Sequence, residues 1–263
     1  VDQILKDLKL GDEKVATKST PSASSKLISH HSASEPFDDS FHYRSVIGKL
    51  NYLEKSTRPD IAYTTHQCAR FTAYPRKEHG KAIRWLARYL KGTREKGIIM
   101  KPVTERDLDM YVDADFAGNW DQKESNHRDT ARSRHGYVIN YKGCPIIWKS
   151  QLQNEIALSS TESEYNGLSY ALRDAIPIME TLKEMKERKF PIGETYGKVF
   201  CKVFEDNSGA LEMATVHKYR PCTKQLNVKM HHFRHYVVRK DIIIYPINTK
   251  DQPADLLTKP LNK

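Results

Sequence analysis

Two aspartates two residues apart, Asp113 and Asp115, lie in the short stretch YVDADFAGN between Tyr111 and Asn119. If residues 108–116 form a strand, its alternation sends the Leu, Met, Val, Ala and Phe side chains to one face and the carboxylates to the other. Such a row of carboxylates must be solvated, paired with Lys or Arg, or neutralised by a cation, because neighbouring like charges on a sheet repel. A cation site is therefore one of three explanations for this stretch.

Three further acids stand where helices are expected to begin: Glu164 in SSTESEY, Asp206 in VFEDNSGAL and Asp255 in TKDQPADLL. Each alone has an ordinary explanation, since an acid near a helix N-terminus stabilises the helix or caps it. At about 100° per residue, however, Glu164 falls among the apolar side chains of its helix, whereas Glu162 lies roughly opposite. Glu162 is therefore the expected cap, and Glu164 is expected to point toward the sheet.

Taken together, an acid on the opening strand, Glu164, Asp206 and Asp255 favour a shared site more than any one of them does alone. Carboxylates of this kind can hold two Mg²⁺ ions about 4 Å apart, which activate water and stabilise the leaving oxygen of a phosphodiester. Such a site would also neutralise the acidic row on the opening strand.

Composition points to nucleic acid as the leading partner. The 263 residues carry a net charge of +10 and a sequence pI near 9.3, for which a solvated basic surface is the alternative explanation. Four widely spaced cysteines without a C-x-x-C pair predict ordinary thiols of a reducing, intracellular compartment. No apolar run approaches the ~20 residues of a membrane span, and no secretory leader opens the chain, so a soluble, non-secreted protein is expected.

The sequence divides into three parts: a short helix with a Ser-rich linker at 1–35, a helical region at 36–104, and a domain with strands at 105–263. The expected order in the last part is strands 107–116, 135–143 and 144–160, a helix at about 161–187, strand 198–207, helices from 208 and near 226–239, strand 242–249 and a helix from 253. This order predicts an α/β fold, a mixed five-stranded sheet flanked by helices.

One predicted helix, in RKEHGKAIRWLARYLKG, carries a stripe of cations at spacings of three and four. The stripe consists of Lys77, Lys81, Arg84, Arg88 and Lys91, with Trp85 and Tyr89 beside it. This pattern is suited to following a phosphate backbone. The alternative is a solvated cationic face over a small apolar core.

Several of these stretches resemble a known family. In order, YVDADFAG, RSRHGYV, ALSSTESEY, EDNSGAL and PADLLTKPL are similar to the signatures of the ribonuclease H domain that ends the Pol polyprotein of copia-type retrotransposons. Upstream, YRSVIGKLNYL, TRPDIAY and ARYLKGT resemble the segment that joins this domain to reverse transcriptase. The resemblance covers about residues 36–263 and implies a ribonuclease H-like fold preceded by a small helical thumb- or connection-like region.

The resemblance also implies an activity, a metal and a set of partners. It implies hydrolysis of the RNA strand of RNA–DNA hybrids with two Mg²⁺ or Mn²⁺ ions, the rest of the Pol polyprotein as partner, and a cytoplasmic virus-like particle or the nucleus as location. It assigns metal binding and catalysis to Asp113, Glu164, Asp206 and Asp255, with Asp115 in a supporting role. His231 matches a histidine of the family that contacts substrate or only packs, and the His231-x-x-x-His235 spacing is a weak zinc signal without a third ligand.

Two alternatives remain open from the sequence. TKQLN and Asn248 depart from the family pattern, which leaves room for a catalytically decayed or domesticated nucleic-acid-binding remnant. A relative that cuts DNA or transfers strands with the same acidic core is the third reading. No second acidic strand pair precedes Tyr43, so polymerase activity is not expected of this chain.

Overall fold

The computed structural model describes residues 1–23, 35–103, 106–122, 125, 127–190, 192, 199–216 and 231–261. The chain divides into two compact units, one of residues 1–98, 118–131 and 256–263, here called the helical unit, and one of residues 99–117 and 132–255, here called the sheet unit. The Ser-rich stretch at 24–34 lies outside the described residues. The predicted assignment of a thumb-like domain and a ribonuclease H domain to the parts of the chain stays a prediction.

The described residues of the helical unit include four α-helices from the first third of the chain and a short one from a later segment. They are α1 (Asp2–Asp7), α2 (Tyr43–Thr57), α3 (Ala62–Ala69), α4 (Lys77–Gly92) and α5 (Arg128–Ala131). The face of α4 opposite its cations is fully buried at Ile83, Leu86 and Leu90. Helix α1 is too short to be stable alone. It is held by burying Ile4 and Leu5 in the same apolar cluster.

The sheet unit follows the predicted order closely. Its elements are β1 (Leu108–Asp115), β2 (Arg134–Tyr141), β3 (Cys144–Leu152), α6 (Ser160–Glu187), β4 (Cys201–Glu205), α7 (Ser208–Thr215), α8 (Arg234–Val238) and β5 (Ile242–Pro246). A last helix, α9 (Asp255–Thr258), begins at the last residue of the sheet unit, and its other residues belong to the helical unit. The predicted helix near 226–239 is described only over α8, because residues 217–230, with TKQLN and Cys222, lie outside the described residues.

The five described strands form one mixed sheet in the order β3-β2-β1-β4-β5. Strand β2 is antiparallel to β1 and β3, whereas β4 is parallel to β1 and β5. This order and these directions, with helices packed on the sheet, confirm the predicted ribonuclease H-like α/β fold.

The core of the sheet unit lies between α6 and the apolar face of β1. Leu108, Met110 and Val112 are fully buried there, and Leu168 and Ala171 of α6 pack against them. The alternation of β1 and the helical period of α6 therefore meet face to face, as their sequences predict. Among the described residues, no helix has the length and apolarity needed to span a membrane.

Candidate metal centre

The first turn of α6 lies close to the end of β1 because a glycine permits it. A Cβ at Gly167 would stand 3.3 Å from the Cβ of His135, which is tighter than usual, and 3.6 Å from that of Ala114, which is an ordinary contact. The absence of this carbon lets the helix approach β1 and β2 closely. Glu164, one turn earlier in the helix, is thereby brought to Asp113 at the end of β1.

The two glutamates of α6 play the different parts that their helical positions predict. Ser159 caps the helix, its Oγ accepting from the Glu162 amide at 3.1 Å, and Glu162 Oε2 accepts from the Leu158 amide at 2.9 Å. Glu164 is only 7% exposed. Glu162 therefore stabilises the helix start, and Glu164 is left for the interior.

Asp206 follows β4 directly and does not cap α7. That cap is Asn207, whose Oδ1 accepts from the Ala210 amide at 3.0 Å. Gly209 lets the start of α7 lie against the start of α6, since a Cβ there would stand 2.7 Å from Thr161 Oγ1. Asp206 is thus held beside the first turn of α6 without the helix-capping role that its position also suggested.

Three carboxylates from these three segments converge. Asp113, Glu164 and Asp206 each offer an oxygen within 4.8 Å of the other two, and this group is called the acidic site below. Carboxylate oxygens are the ligands that Mg²⁺ prefers, and Mg²⁺ is commonly held by one or two of them with water and substrate phosphate. The donor set therefore fits a hard divalent cation.

Electrostatics set the acidic site apart from an ordinary polar surface. Burial raises the pKa of Glu164, and the neighbouring charges of Glu205, Asp113 and Asp206 raise it further, while the Ala114 amide acts in the opposite direction. No described residue forms a hydrogen bond with Oε2 of Glu164. A buried carboxylate in this position is costly unless it is protonated or meets a cation.

Glu205 is a buried acid that sequence reasoning missed. It is fully buried at the end of β4, where Oε1 accepts from the Asn207 amide at 3.1 Å and Oε2 has no hydrogen-bond partner among the described residues. Burial raises the pKa of Glu205, as do the charges of Asp206 and Asp113. Strand alternation from Cys201 and Val203 would have placed residue 205 on the buried face and could have revealed it.

Two other predicted acids stand outside the acidic site. Asp255 is the half-buried first residue of α9, which agrees with the ordinary stabilising position of an acid at a helix N-terminus. Asp115 is half-buried at the end of β1. Neither belongs to the converging group. The catalytic role of Asp255 and the supporting role of Asp115 stay predictions.

His231 packs against α6. Its Nδ1 lies 2.6 Å from the Tyr165 hydroxyl, and Arg234 Nε donates to the same oxygen at 3.4 Å. Across the described part of the chain, His231 and His235 do not join a group of three possible metal ligands. The arrangement favours packing over a zinc site.

The five cations of α4, called the cationic row below, all have partners within the helical unit. Three donate to backbone carbonyls of the N-terminal segment: Arg84 to Leu8 at 2.9 Å, Arg88 to Ala16 at 2.6 Å and Lys91 to Val15 at 3.2 Å. The other two form ion pairs, Lys77 with Glu35 and Lys81 with Glu78. Contact of the cationic row with nucleic acid stays a prediction.

Sequence comparison places the chain among transposon proteins. It is 33% identical over 223 residues to the retrovirus-related Pol polyprotein from transposon TNT 1-94 of Nicotiana tabacum, covering 84% of this chain and 15% of the relative. It is 32% identical over 246 residues to that from transposon RE1 of Arabidopsis thaliana, covering 93% of this chain and 15% of the relative. The chain thus spans about 15% of the length of these curated relatives.

Among solved structures, LC11-RNase H1, isolated from compost, is 18% identical over 57% of this chain and 91% of its own, with a TM-score of 0.39. A TM-score this low does not support a fold assignment, so the fold is assigned from the order and direction of the strands. No protein-family model matches the chain. Over most of its length, the chain is therefore similar to a short part of the retrovirus-related Pol polyproteins of plant transposons.

Proposed function

We propose that the sheet unit is a Mg²⁺-dependent ribonuclease H that hydrolyses the RNA strand of RNA–DNA hybrids as part of a transposon Pol polyprotein. The observation that supports this function most is the convergence of Asp113, Glu164 and Asp206 within 4.8 Å. The three acids come from separate segments and are mostly buried, which is unfavourable for carboxylates that have no cation to bind. A phosphodiesterase that uses divalent ions needs such a set of oxygens.

The residues of the chain would serve mainly to hold the metal ions and to orient the carboxylates that bind them. Asp113, Glu164 and Asp206 would bind the metal, the Ala114 amide would fix the Glu164 carboxylate, and Asp255 is proposed as a fourth ligand. Two bound ions would supply an activated water and a counter-charge for the leaving oxygen. In the hydrolysis, the water oxygen bonds to phosphorus, the bond to the 3′ oxygen breaks and that oxygen takes a proton, which leaves 5′-phosphate and 3′-hydroxyl ends.

Substrate choice would depend on the shape of the hybrid and on its 2′-hydroxyl groups rather than on base sequence. The net charge of +10 favours binding to a polyanion, and Lys81 of the cationic row, an exposed lysine paired with Glu78 of its own helix, is proposed to add a phosphate contact. The remainder of the polyprotein is the proposed protein partner, in an intracellular setting.

Cleavage of a labelled hybrid tests the proposal. With Mg²⁺, we expect cuts in the RNA strand, 5′-phosphate products and an intact DNA duplex control, and we expect Asp113→Asn to bind hybrid but not to cut it. Absence of cleavage by the wild type at every Mg²⁺ and Mn²⁺ concentration would overturn the active-enzyme function.

A catalytically silent nucleic-acid-binding remnant is the second candidate, favoured by the position of Asp255 outside the acidic site. Such a remnant would bind hybrid equally well with and without Mg²⁺, as wild type and as Asp113→Asn, and would cut in neither form. Affinity that depends on Mg²⁺ in the wild type alone would exclude it.

A further inference from the structure

The parallel pairing of β1 with β4 ends shortly before Asp113 of β1 and before Asp206, which follows β4. The paired register runs from Leu108 with Cys201 to Tyr111 with Phe204. Beyond this point the side-chain amide of Gln252 bridges the two strands. Its Nε2 donates to the carbonyl of Val112 at 2.8 Å and to that of Phe204 at 3.3 Å.

The bridged carbonyls lie next to the acidic site along the chain. The Val112 carbonyl belongs to the peptide unit that leads into Asp113, and the Phe204 carbonyl lies two residues before Asp206. A single amide group, attached to a residue only 4% exposed, therefore connects the backbones that present two of the three converging acids. Beyond the paired register, this bridge takes the place of the main-chain bonds of the ladder.

The backbone of Gln252 is itself anchored at the start of α9. Its amide donates to the Thr249 carbonyl at 3.3 Å, and its carbonyl accepts from the Asp255 amide at 3.3 Å. Asn248 steadies the preceding turn by accepting from the Lys250 amide at 2.9 Å. The same residue thus connects β1, β4 and the segment that carries the fourth predicted acid.

We propose that Gln252 is a positioning residue of the metal site, which holds the Asp113 and Asp206 backbones at the separation that lets them share an ion with Glu164. The binding of an ion at this site is part of the proposed function, on which this inference rests. Without such a tie, carboxylates of like charge at this spacing would separate. The site needs one nitrogen with two hydrogens at the end of a long side chain: Asn is one methylene shorter, and Glu supplies no donor and adds a charge.

The decisive experiment compares the same substitution at two buried glutamines. Gln252→Met keeps the side-chain length and removes both donated bonds. The control, Gln67→Met, acts on a residue 2% exposed in the helical unit, where Nε2 donates to Tyr63 and Asn119 at 3.1 Å each. Calorimetric titration with Mn²⁺, without nucleic acid, measures metal affinity, and melting in EDTA reports whether each variant is folded.

We expect Gln252→Met to weaken Mn²⁺ binding roughly 10–100-fold, the usual scale for residues that orient metal ligands, and Gln67→Met to change it less than about twofold. Because affinity rather than the chemical step is lost, saturating metal should restore most of the cleavage rate. Unchanged Mn²⁺ affinity in a folded Gln252→Met variant would overturn the positioning role while leaving the proposed nuclease intact. A wild type that binds no Mn²⁺ would overturn both.

If Gln252→Met does not fold, the wild type provides the test by nuclear magnetic resonance. The side-chain amide protons of Gln252 should exchange slowly with solvent and should shift when Mg²⁺ is added. Rapid exchange, or signals that Mg²⁺ leaves unchanged, would overturn the positioning role.

Discussion

The cationic row of α4 and the acidic site of the sheet unit are both sets of like charges, but they differ in the partners that their polar atoms have among the described residues. Arg84, Arg88 and Lys91 donate to carbonyls of the N-terminal segment, and the other two lysines have carboxylate partners. In the acidic site, Oε2 of Glu164 has no hydrogen-bond partner among the described residues, and three carboxylates face one another. The two sets are alike in carrying like charges, but they differ in whether their polar atoms have partners within the fold.

The difference has a simple physical meaning. An arginine that donates to a carbonyl at a half-buried position contributes a modest stabilisation to its own fold. A buried carboxylate with carboxylate neighbours contributes repulsion and lost hydration, which persist only where the rest of the fold holds the group in place. This contrast is why a bound cation is proposed for the acidic site and not for the cationic row.

The largest effect is expected from neutralising one member of the acidic site. Glu164→Gln should lower hybrid cleavage by roughly 10²–10³-fold or more, the scale of losing one strong electrostatic contact to the transition state. The matched control is Glu162→Gln on the same helix, which alters only the cap and should change cleavage by less than about twofold. Single-turnover cleavage of a labelled hybrid measures both, and equal effects of the two variants would contradict the distinction between cap and ligand.

A second prediction concerns the close approach of α7 to α6. Gly209→Ala would place a carbon 2.7 Å from Thr161 Oγ1, so either the Thr161 side chain or the segment carrying Asp206 must shift. We expect metal affinity and cleavage to fall about tenfold or more, since displacement near 1 Å can cost far more than its contact energy. The double variant Gly209→Ala with Thr161→Ala removes the clashing atoms and should recover most of the loss. Failure of this rescue would contradict the role of the close approach.

The pH dependence of stability without metal gives a third prediction. The folded pKa values of Glu164 and Glu205 lie above the ordinary value of 4.5. Their contribution to the free energy of unfolding is therefore complete below pH 4.5, and it is lost as pH rises toward the folded pKa values. In EDTA, stability should therefore fall between about pH 7 and pH 8, by up to roughly 1.4 kcal/mol per pH unit for each retained proton. Glu54, whose pKa is raised to about 7, adds a slope of the same sign at the lower end of this range.

Melting curves of the full chain check this slope. Glu205→Gln stays neutral at every pH and should flatten it, whereas Glu162→Gln should leave it unchanged. Mg²⁺ should stabilise the wild type more at the higher pH, where the carboxylates ionise more readily. A wild type whose stability in EDTA rises over this range would contradict the repulsion assigned to the acidic site.

The cationic row should show its effect in stability. Replacing Arg84 and Arg88 with Gln removes two donors to the N-terminal segment and should destabilise its attachment by about 1–2 kcal/mol. Lys81→Gln, which loses only an exposed pair on its own helix, should cost less than about 0.5 kcal/mol. Amide hydrogen exchange of residues 8–16 measures both, and equal protection in the two variants would contradict a structural use of the arginines.

The smallest effect is expected in the salt dependence of hybrid binding. If Lys81, Arg84 and Arg88 all contacted phosphates, replacing them with Gln would flatten the slope of log K against log salt by roughly 2–3 units. Since both arginines already donate to carbonyls, we expect a change of less than about one unit. A flattening by roughly 2–3 units would show that Lys81, Arg84 and Arg88 all contact phosphates.

Local pattern was enough to predict the elements of the sheet unit and part of the acidic site. Alternation predicted β1, helical period predicted α6, and the angular position of Glu164 relative to Glu162 separated the buried acid from the cap. These features depend on residues a few positions apart, where the sequence shows directly what a side chain will face.

Contacts between distant segments were beyond such reasoning. The bridge from Gln252 to Val112 joins residues 140 positions apart, and the bonds from the cationic row reach back to residues 8–16. Sequence reasoning overlooked Glu205 because it assigned the role of the adjacent Glu205–Asp206 pair to Asp206 alone. In each case the outcome depends on which group lies against the side chain in the folded protein. The periodicity of a single sequence does not give that information.

A crystal of the wild-type protein soaked in Mn²⁺ tests the shared cation site most directly. Anomalous scattering should reveal an ion bonded to oxygens of Asp113, Glu164 and Asp206 at about 2.0–2.3 Å, near the distances for hard divalent cations, and the peak should be lost in Asp113→Asn. Carboxylates that remain together with no ion between them at saturating Mn²⁺ would contradict the metal site.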